Sequence, residues 1–329
     1  MPKFLQYGTG NIARSLMGQL FSRAGYEVVF VGRNQTVINA LNRERKYLIQ
    51  VKDRHPYDIW VENVRAVSCY DRERVIDEIA SADLMATAIG PDALPQIYET
   101  LADGIKKRDK PLNILICENL RHMSRVVKSG LKKYFPLNYP LSKRVGLIET
   151  TIGKMVPIMP EAIREKDPLL IWAEAYNLLL VDKNGFIGDI PRVDGMIAKE
   201  NFDAYVDRKL FIHNLGHAAL AYLGYFIYPS HPYIWQAISD KTIEKVVGAT
   251  MWESGGALIK EYPGEFDEQI QGEYIEDLIQ RFKNPYLNDT VYRVGRDVPR
   301  KLGPNERLIG AAVMDIKHGI IPRYTALAI

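Results

Sequence analysis

Two cysteines in 329 residues cannot staple a disulfide-built fold, and Cys69 and Cys117 lie far apart without metal-type spacing. Reduced thiols and a cytoplasmic location are the expectation. No uninterrupted apolar run reaches the roughly 20 residues of a membrane span, and the first residues lack a signal-peptide pattern. Neither sign of charge dominates. The 43 basic and 40 acidic residues leave a net +3, which gives no electrostatic case for nucleic acid or a membrane surface as partner. Internal repeats and low-complexity linkers are missing too. No cluster of His, Cys and acidic residues has the spacing of a metal site. What is there is a globular composition, 47% hydrophobic and 25% charged, long enough for two domains.

The chain opens with strand, glycine turn and helix. Phe4 to Tyr7 is apolar enough for a short strand, Gly8-Thr-Gly10-Asn11-Ile12-Ala13 is the turn, and the helix continues to about Ala24. The turn has the GxGxxA form of a dinucleotide site. Gly8 permits the tight turn, Gly10 lets backbone approach a pyrophosphate, and Ala13 allows helix and strand to pack closely. Amide groups around Asn11 and Ile12 then face phosphate oxygens at a helix start. A second strand, Glu27 to Val31, arrives at the proper distance. It ends in Val31-Gly32-Arg33-Asn34, where an NAD site carries an acid for the adenosine ribose. Without that acid, Arg33 offers a fork for a 2′-phosphate, so NADP(H) is favoured over NAD(H). The plainer reading is that Arg33 starts the next helix.

Further elements follow in alternation: a helix over 35–45, a strand over 47–51, a turn at His55-Pro56, and a strand over 61–68. A buried strand at 82–89, a helix at 93–106 and a strand at 113–117 come next. This order predicts a parallel sheet covered on both faces. Ligands in such sheets sit at the carboxyl ends of strands, which nominates Ala88, Gly90, Glu118 and Asn119 for the cofactor. Glu118 and Asn119 could equally cap the following helix. The crossing into a second domain is expected near residue 155. That gives a Rossmann-like nucleotide domain over 1–155 and a mainly α-helical substrate domain over 156–329, with helices near 201–226, 239–261 and 267–282.

One stretch carries candidate chemistry. Lys209-Leu-Phe-Ile-His-Asn214-Leu-Gly-His217 reads as helix, and at about 100° per residue one broad face holds Lys209, Asn214 and His217. A proton-trading lysine, an amide and an imidazole together can surround one carbonyl or hydroxyl oxygen. Lys209 and His217 are about 12 Å apart along a straight helix, so the stem must reach or the helix must distort near Gly216. The alternative is a solvated edge with a satisfied core histidine.

The pattern Lys-x4-Asn-x2-His, inside Arg-Lys-Leu-Phe-x2-Asn-x-Gly-His-Ala-x2-Ala-Tyr-Leu-Gly, resembles the signature of the polyol-specific long-chain dehydrogenase/reductases, in particular their mannitol-1-phosphate branch. The likeness runs from the first strand to about His318. Cys-Glu118-Asn119 and the stretch Val291-Tyr-Arg293-Val-Gly-Arg296-Asp-Val-Pro-Arg-Lys301-Leu belong to it. It implies an NAD(P)-dependent oxidoreductase acting on a CH–OH group of a polyol or keto-sugar, with the site between the domains. A phosphorylated substrate, as in mannitol 1-phosphate/fructose 6-phosphate interconversion, is favoured. Lys209 is then the acid/base, Asn214 and His217 polarise the reacting oxygen, and Arg293 and Arg296 contact substrate, with Arg300 and Lys301 as weaker candidates. The branch tends to carry Asp where Gly32 stands, Asn or Asp at Glu149, and Asp-Arg at Gly153-Lys154. Glu149 is therefore a candidate substrate contact that alters the fit. Monomer or small homo-oligomer is the expected state. Other readings are a dehydrogenase of an unphosphorylated polyol or sugar acid, and a non-catalytic NADP(H) sensor.

Overall fold

The computed structural model describes residues 1–157 and 159–329. Two compact units emerge, Met1–Phe202 and Asp203–Ile329. The division falls later than the expected boundary near 155, because residues beyond it still supply strands to the sheets of the first unit.

The first unit has strands β1 (Lys3–Tyr7), β2 (Glu27–Gly32), β3 (Lys46–Val51), β4 (Tyr57–Glu62), β5 (Val64–Ser68), β6 (Leu84–Thr87), β7 (Leu112–Ile116), β8 (Val145–Ile152), β9 (Ile171–Ala173), β10 (Leu179–Asp182) and β11 (Met196–Lys199). The main sheet runs β11-β10-β8-β7-β6-β1-β2-β5, and β5 through β8 pair in parallel, which is the doubly wound nucleotide-binding order. β10 joins antiparallel to β8 and brings β11 with it. Successive residues of β1 feed opposite cores: Phe4 packs with Phe21, Phe30 and Tyr47, and Leu5 with Val29, Met85 and Ile114. Both faces are covered, as the near-continuous apolar strands require.

The single strand expected over 61–68 is two. Asn63, in the left-handed region at φ 56°, separates β4 from β5. β4 then pairs with β3 in a smaller sheet, completed by β9, while β5 takes the edge of the main one.

The second unit is helical. Its elements include one continuous helical run, Phe202–Ile227, and the helices Lys241–Glu261, Glu268–Phe282 and Ile309–Lys317. By length and composition Phe202–Ile227 is apolar enough to cross a membrane, yet 56% of its most apolar window is buried inside the fold. A core helix meets the same test. Gly216 is there for packing: a Cβ would lie 2.5 Å from the Met251 sulfur of the neighbouring helix.

Candidate active site

In the first unit the site is backbone. Gly8 has φ 112°, its N–H donates to the Val31 carbonyl at 2.8 Å, and a Cβ would lie 2.4 Å from the Ala88 carbonyl oxygen. Only glycine suits both demands. At Gly10 an added Cβ would meet nothing within 4 Å. Gly10 and Asn11 are exposed and Ile12 is half-buried, so the turn presents open backbone where the fingerprint requires it. This cradle fits a dinucleotide.

The helix after the turn begins with a π-turn, Ala13–Gly18. Such turns leave backbone groups short of α-helical partners. Here the Tyr47 hydroxyl donates to the Arg14 carbonyl at 2.6 Å, and Gly18 leaves room for that ring. The buried Arg14 guanidinium donates to the Thr9 carbonyl at 2.9 Å and to the Pro168 and Leu169 carbonyls at 3.0 Å each. It therefore clamps the turn from behind.

At the end of β2, a Cβ on Gly32 would lie 2.5 Å from the Thr9 methyl. Thr9 occupies the space an acidic side chain would enter. Arg33 is exposed and is not part of the next helix: Asn34 caps Gln35–Glu44 by accepting from the Val37 N–H at 3.2 Å. The Arg33 charge lies close enough to Cys69, on the neighbouring loop, to favour its thiolate against a larger opposing effect of burial.

Two acids expected at ligands are engaged with backbone. Glu118, buried, accepts from the Ile89 N–H at 3.1 Å and the Gly90 N–H at 2.8 Å. Its carboxylate ties the β6 and β7 ends together. The N-cap of helix Met123–Lys132 is His122, which supplies no side-chain bond to cap it. Glu149 does that work. From β8 it accepts from the Ser124 N–H at 3.2 Å and the Ser124 hydroxyl at 2.5 Å. A carboxylate in this place satisfies an otherwise bare helix start and its dipole. Glu149, expected at the substrate, thus holds a helix start through Ser124. Lys154, also buried, donates to the Tyr176 carbonyl at 2.9 Å and to Asn177 Oδ1 at 3.2 Å.

In the second unit the site is side chain. Lys209–Asn214 is a π-turn inside the long helix, so the distortion expected near Gly216 lies just before it. A π-turn fits more residues into one turn, which brings Lys209 closer to the next turn of the helix. His213, four residues after Lys209 and four before His217, links the two. Its ring centroid is 6.1 Å from that of His217, and the charges of both His217 and Lys209 act on it. Burial, then Arg281 and these neighbours, hold His213 well below its ordinary value, so it is neutral. Burial and the Arg307 charge together push the Lys209 ammonium down to about 8. Asn214, half-buried, closes the π-turn.

His217 stacks on Phe282, with centroids 4.7 Å apart and planes 18° from parallel. Its Nε2 lies 3.2 Å from Asp289 Oδ2. Arg293, expected at the substrate, closes its fork on the same carboxylate: Nε donates to Oδ1 at 2.6 Å and Nη2 to Oδ2 at 2.5 Å. Burial works against ionising Asp289, but the hydrogen bonds and charges of His217 and Arg293 prevail and hold it at about 2. Asp289 thus stays ionised and fixes His217. Arg293 is thus paired with Asp289. Arg296 is exposed at the end of helix Val291–Gly295.

Sequence reasoning passed over His213, Asp289 and Arg307. The i, i+4, i+8 spacing of Lys209, His213 and His217 was a usable signal for the first, and Asp289-x3-Arg293 for the second. Nothing local marks Arg307.

Residues 2–195 match the family model for the mannitol dehydrogenase Rossmann domain, and residues 201–329 that for the mannitol dehydrogenase C-terminal domain. A mannitol-1-phosphate 5-dehydrogenase of Geobacillus stearothermophilus is 37% identical over 98% of this chain and 86% of that enzyme. One of Brevibacillus brevis is 34% identical over 99% of this chain and 84% of that enzyme. Among solved structures, Pseudomonas fluorescens mannitol 2-dehydrogenase in complex with NAD and D-mannitol has a TM-score of 0.79 at 15% identity, over 99% of this chain and 77% of that one. A substrate-free D-sorbitol dehydrogenase gives 0.83, also at 15% identity, over 99% and 78%. These last two likenesses show the shared fold.

Proposed function

Since the chain belongs to the mannitol dehydrogenase family of nicotinamide-dependent oxidoreductases acting on CH–OH groups, we propose that it interconverts a polyol phosphate and its keto-sugar phosphate, with Lys209 as the acid/base. The observation that carries this reading is the lysine on the π-turn, whose ammonium burial and Arg307 bring to about 8. An ordinary lysine near 10.4 stays charged at working pH, whereas this one exchanges its proton there.

The nicotinamide, when bound at the Gly8–Ala13 turn, supplies or accepts the hydride. In oxidation Lys209 Nζ takes the hydroxyl proton as the carbinol carbon loses its hydrogen with both electrons. In reduction the ammonium returns that proton to the developing alkoxide. His217, held by Asp289 through Nε2, keeps Nδ1 for a substrate oxygen, and Asn214 adds an amide to the same oxygen. Neutral His213 beside them adds no charge that would hold the substrate's own proton back.

The phosphorylated class is supported by the named activity of the two relatives, mannitol-1-phosphate 5-dehydrogenases, and by the basic residues around Arg307. On the cofactor side, Gly32 under Thr9 and exposed Arg33 support NADP(H) over NAD(H), although the structural neighbour of the same fold was solved with NAD. Such a protein works in the cytoplasm on a small molecule.

Lys209→Ala tests the assignment. Turnover should fall about 10²–10⁴-fold while cofactor affinity stays near the parent's. Near-normal turnover in the folded variant would remove Lys209 from the chemistry. A parent that binds cofactor but reduces no keto-sugar or sugar acid would favour a sensor.

A further inference from the structure

The chain as a whole balances 43 basic against 40 acidic residues, but one stretch of the first unit does not. Between Glu118 and Glu149 stand seven Lys and Arg and no acid. Such a run ordinarily marks a solvated face. Here it adjoins a cleft. Helix Met123–Lys132 presents Arg125 and Lys128, about one turn apart, to an opening of about 380 Å³. The opening lies between that helix, the start of β8 and the turn Lys183–Gly185. Its volume is in the range of small-molecule sites. Arg125 is exposed and Lys128 half-buried, and neither side chain has an ion pair or hydrogen bond among the described residues. Asp182 is the one acid lining the cleft among the described residues, and it is engaged. Its carboxylate accepts from the Asn184 N–H at 2.9 Å and caps the turn.

Close packing builds the walls. A Cβ on Gly185 would lie 2.7 Å from the Leu147 carbonyl oxygen, and one on Gly146 2.8 Å from the Gly185 carbonyl oxygen. The two glycines therefore let the turn lie flat against β8. From β7, the Asn113 side chain donates to the Ile187 carbonyl at 3.1 Å and accepts from the Ile187 N–H at 2.9 Å. That pair of bonds fixes the segment that follows the turn. Leu141 and Val145, each 5% exposed, supply apolar lining, and the exposed Ser142 adds a hydroxyl. The cleft is not the glycine turn, because β7 and β6 stand between β8 and β1 in the sheet.

We propose that this cleft is a second ligand site, for a small organic phosphate, with Arg125 and Lys128 holding the phosphate and Leu141 and Val145 facing its carbon skeleton. The Arg125 fork suits two phosphate oxygens, Lys128 adds a point charge, and the Ser142 hydroxyl can donate to the third oxygen. A dianion matches two cations that have no counter-ion, whereas a carboxylate would leave one of them unmatched. The site does not depend on the polyol-phosphate reading, since none of its residues belongs to the Lys209 constellation.

The test is calorimetry of the full chain with inorganic phosphate at about 0.15 M salt, with saturating cofactor present to occupy the glycine turn. The parent should show saturable one-site binding. Arg125→Gln and Lys128→Gln should each weaken it about tenfold, and the double variant should abolish it. Lys133→Gln is the control. Lys133 is exposed and belongs to the same basic run but not to the cleft, so its loss should change the affinity less than about twofold. Urea midpoints of all the variants should match the parent's, because neither Arg125 nor Lys128 bonds anything in the fold. Phenyl phosphate, whose ring can lie on Leu141 and Val145, should bind several-fold more tightly than inorganic phosphate. No saturable binding by the parent would overturn the proposal. Equal weakening by Lys133→Gln would overturn it too, because the run would then act as a diffuse basic surface for polyanions. Binding that survives in the double variant would place the anion elsewhere and likewise overturn it. No gain with phenyl phosphate would remove the organic ligand.

Discussion

The two π-turns among the described residues border opposite kinds of candidate site. Ala13–Gly18 follows a glycine turn whose candidate ligand groups are backbone amides, and the side chains around it, Arg14 and Tyr47, hold the turn from behind. Lys209–Asn214 carries its candidate groups on side chains, and their properties come from Arg307, Arg281 and Asp289, far along the chain. A backbone site depends on the absence of side chains at a few positions. A side-chain site depends on partners that arrive only with the tertiary fold.

The largest expected effect breaks the backbone half. Gly8→Ala combines a φ of 112° with a Cβ 2.4 Å from a carbonyl oxygen. It should destabilise the first unit by about 2–4 kcal/mol and abolish cofactor binding. Gly10→Ala is the control, since open space surrounds its Cβ. It should unfold like the parent in urea yet bind cofactor more weakly. Equal stability and affinity in Gly8→Ala would mean that the turn is not built as described.

Next comes the side-chain half. Asp289→Asn removes the charge that fixes His217 while keeping the volume. Turnover should drop about 10- to 100-fold, as for other outer carboxylates that orient a histidine, with cofactor affinity unchanged. A cofactor-affinity loss of the same size, measured by fluorescence titration, would show that the two sites are not independent. The smallest effect is at Arg33. Arg33→Ala should weaken NADPH by about 1–3 kcal/mol and leave NADH almost untouched. Equal affinities of the parent for both cofactors, unmoved by the substitution, would remove the 2′-phosphate role.

The same contrast decides what could be read from sequence. The glycine turn, the strand after it and the doubly wound order were legible because each is written in local spacing and apolar pattern. Lys209, Asn214 and His217 were legible as a helical face and through a family signature. Their electrostatics were not. Asp289 follows the left-handed Asn288, and no periodicity announces that its carboxylate meets a helix some seventy residues earlier. Glu149 looked like a substrate ligand because family position suggested it. Only the packing of β8 against helix Met123–Lys132 shows that the carboxylate caps that helix. The split between β4 and β5 was hidden for a similar reason: a single left-handed Asn63 interrupts an otherwise continuous strand pattern.

The most direct measurement is the pH dependence of kcat/KM in both directions, which reports ionisations of the free enzyme. Lys209 must be neutral to take a proton and charged to give one. With its ammonium held at about 8, polyol oxidation should rise with pH through about 8 and level off above it. Ketone reduction should be flat below 8 and fall above it, and the Lys209→Ala variant should lose the ionisation from both profiles. Profiles without an ionisation near 8, or one that persists in the variant, would contradict the account.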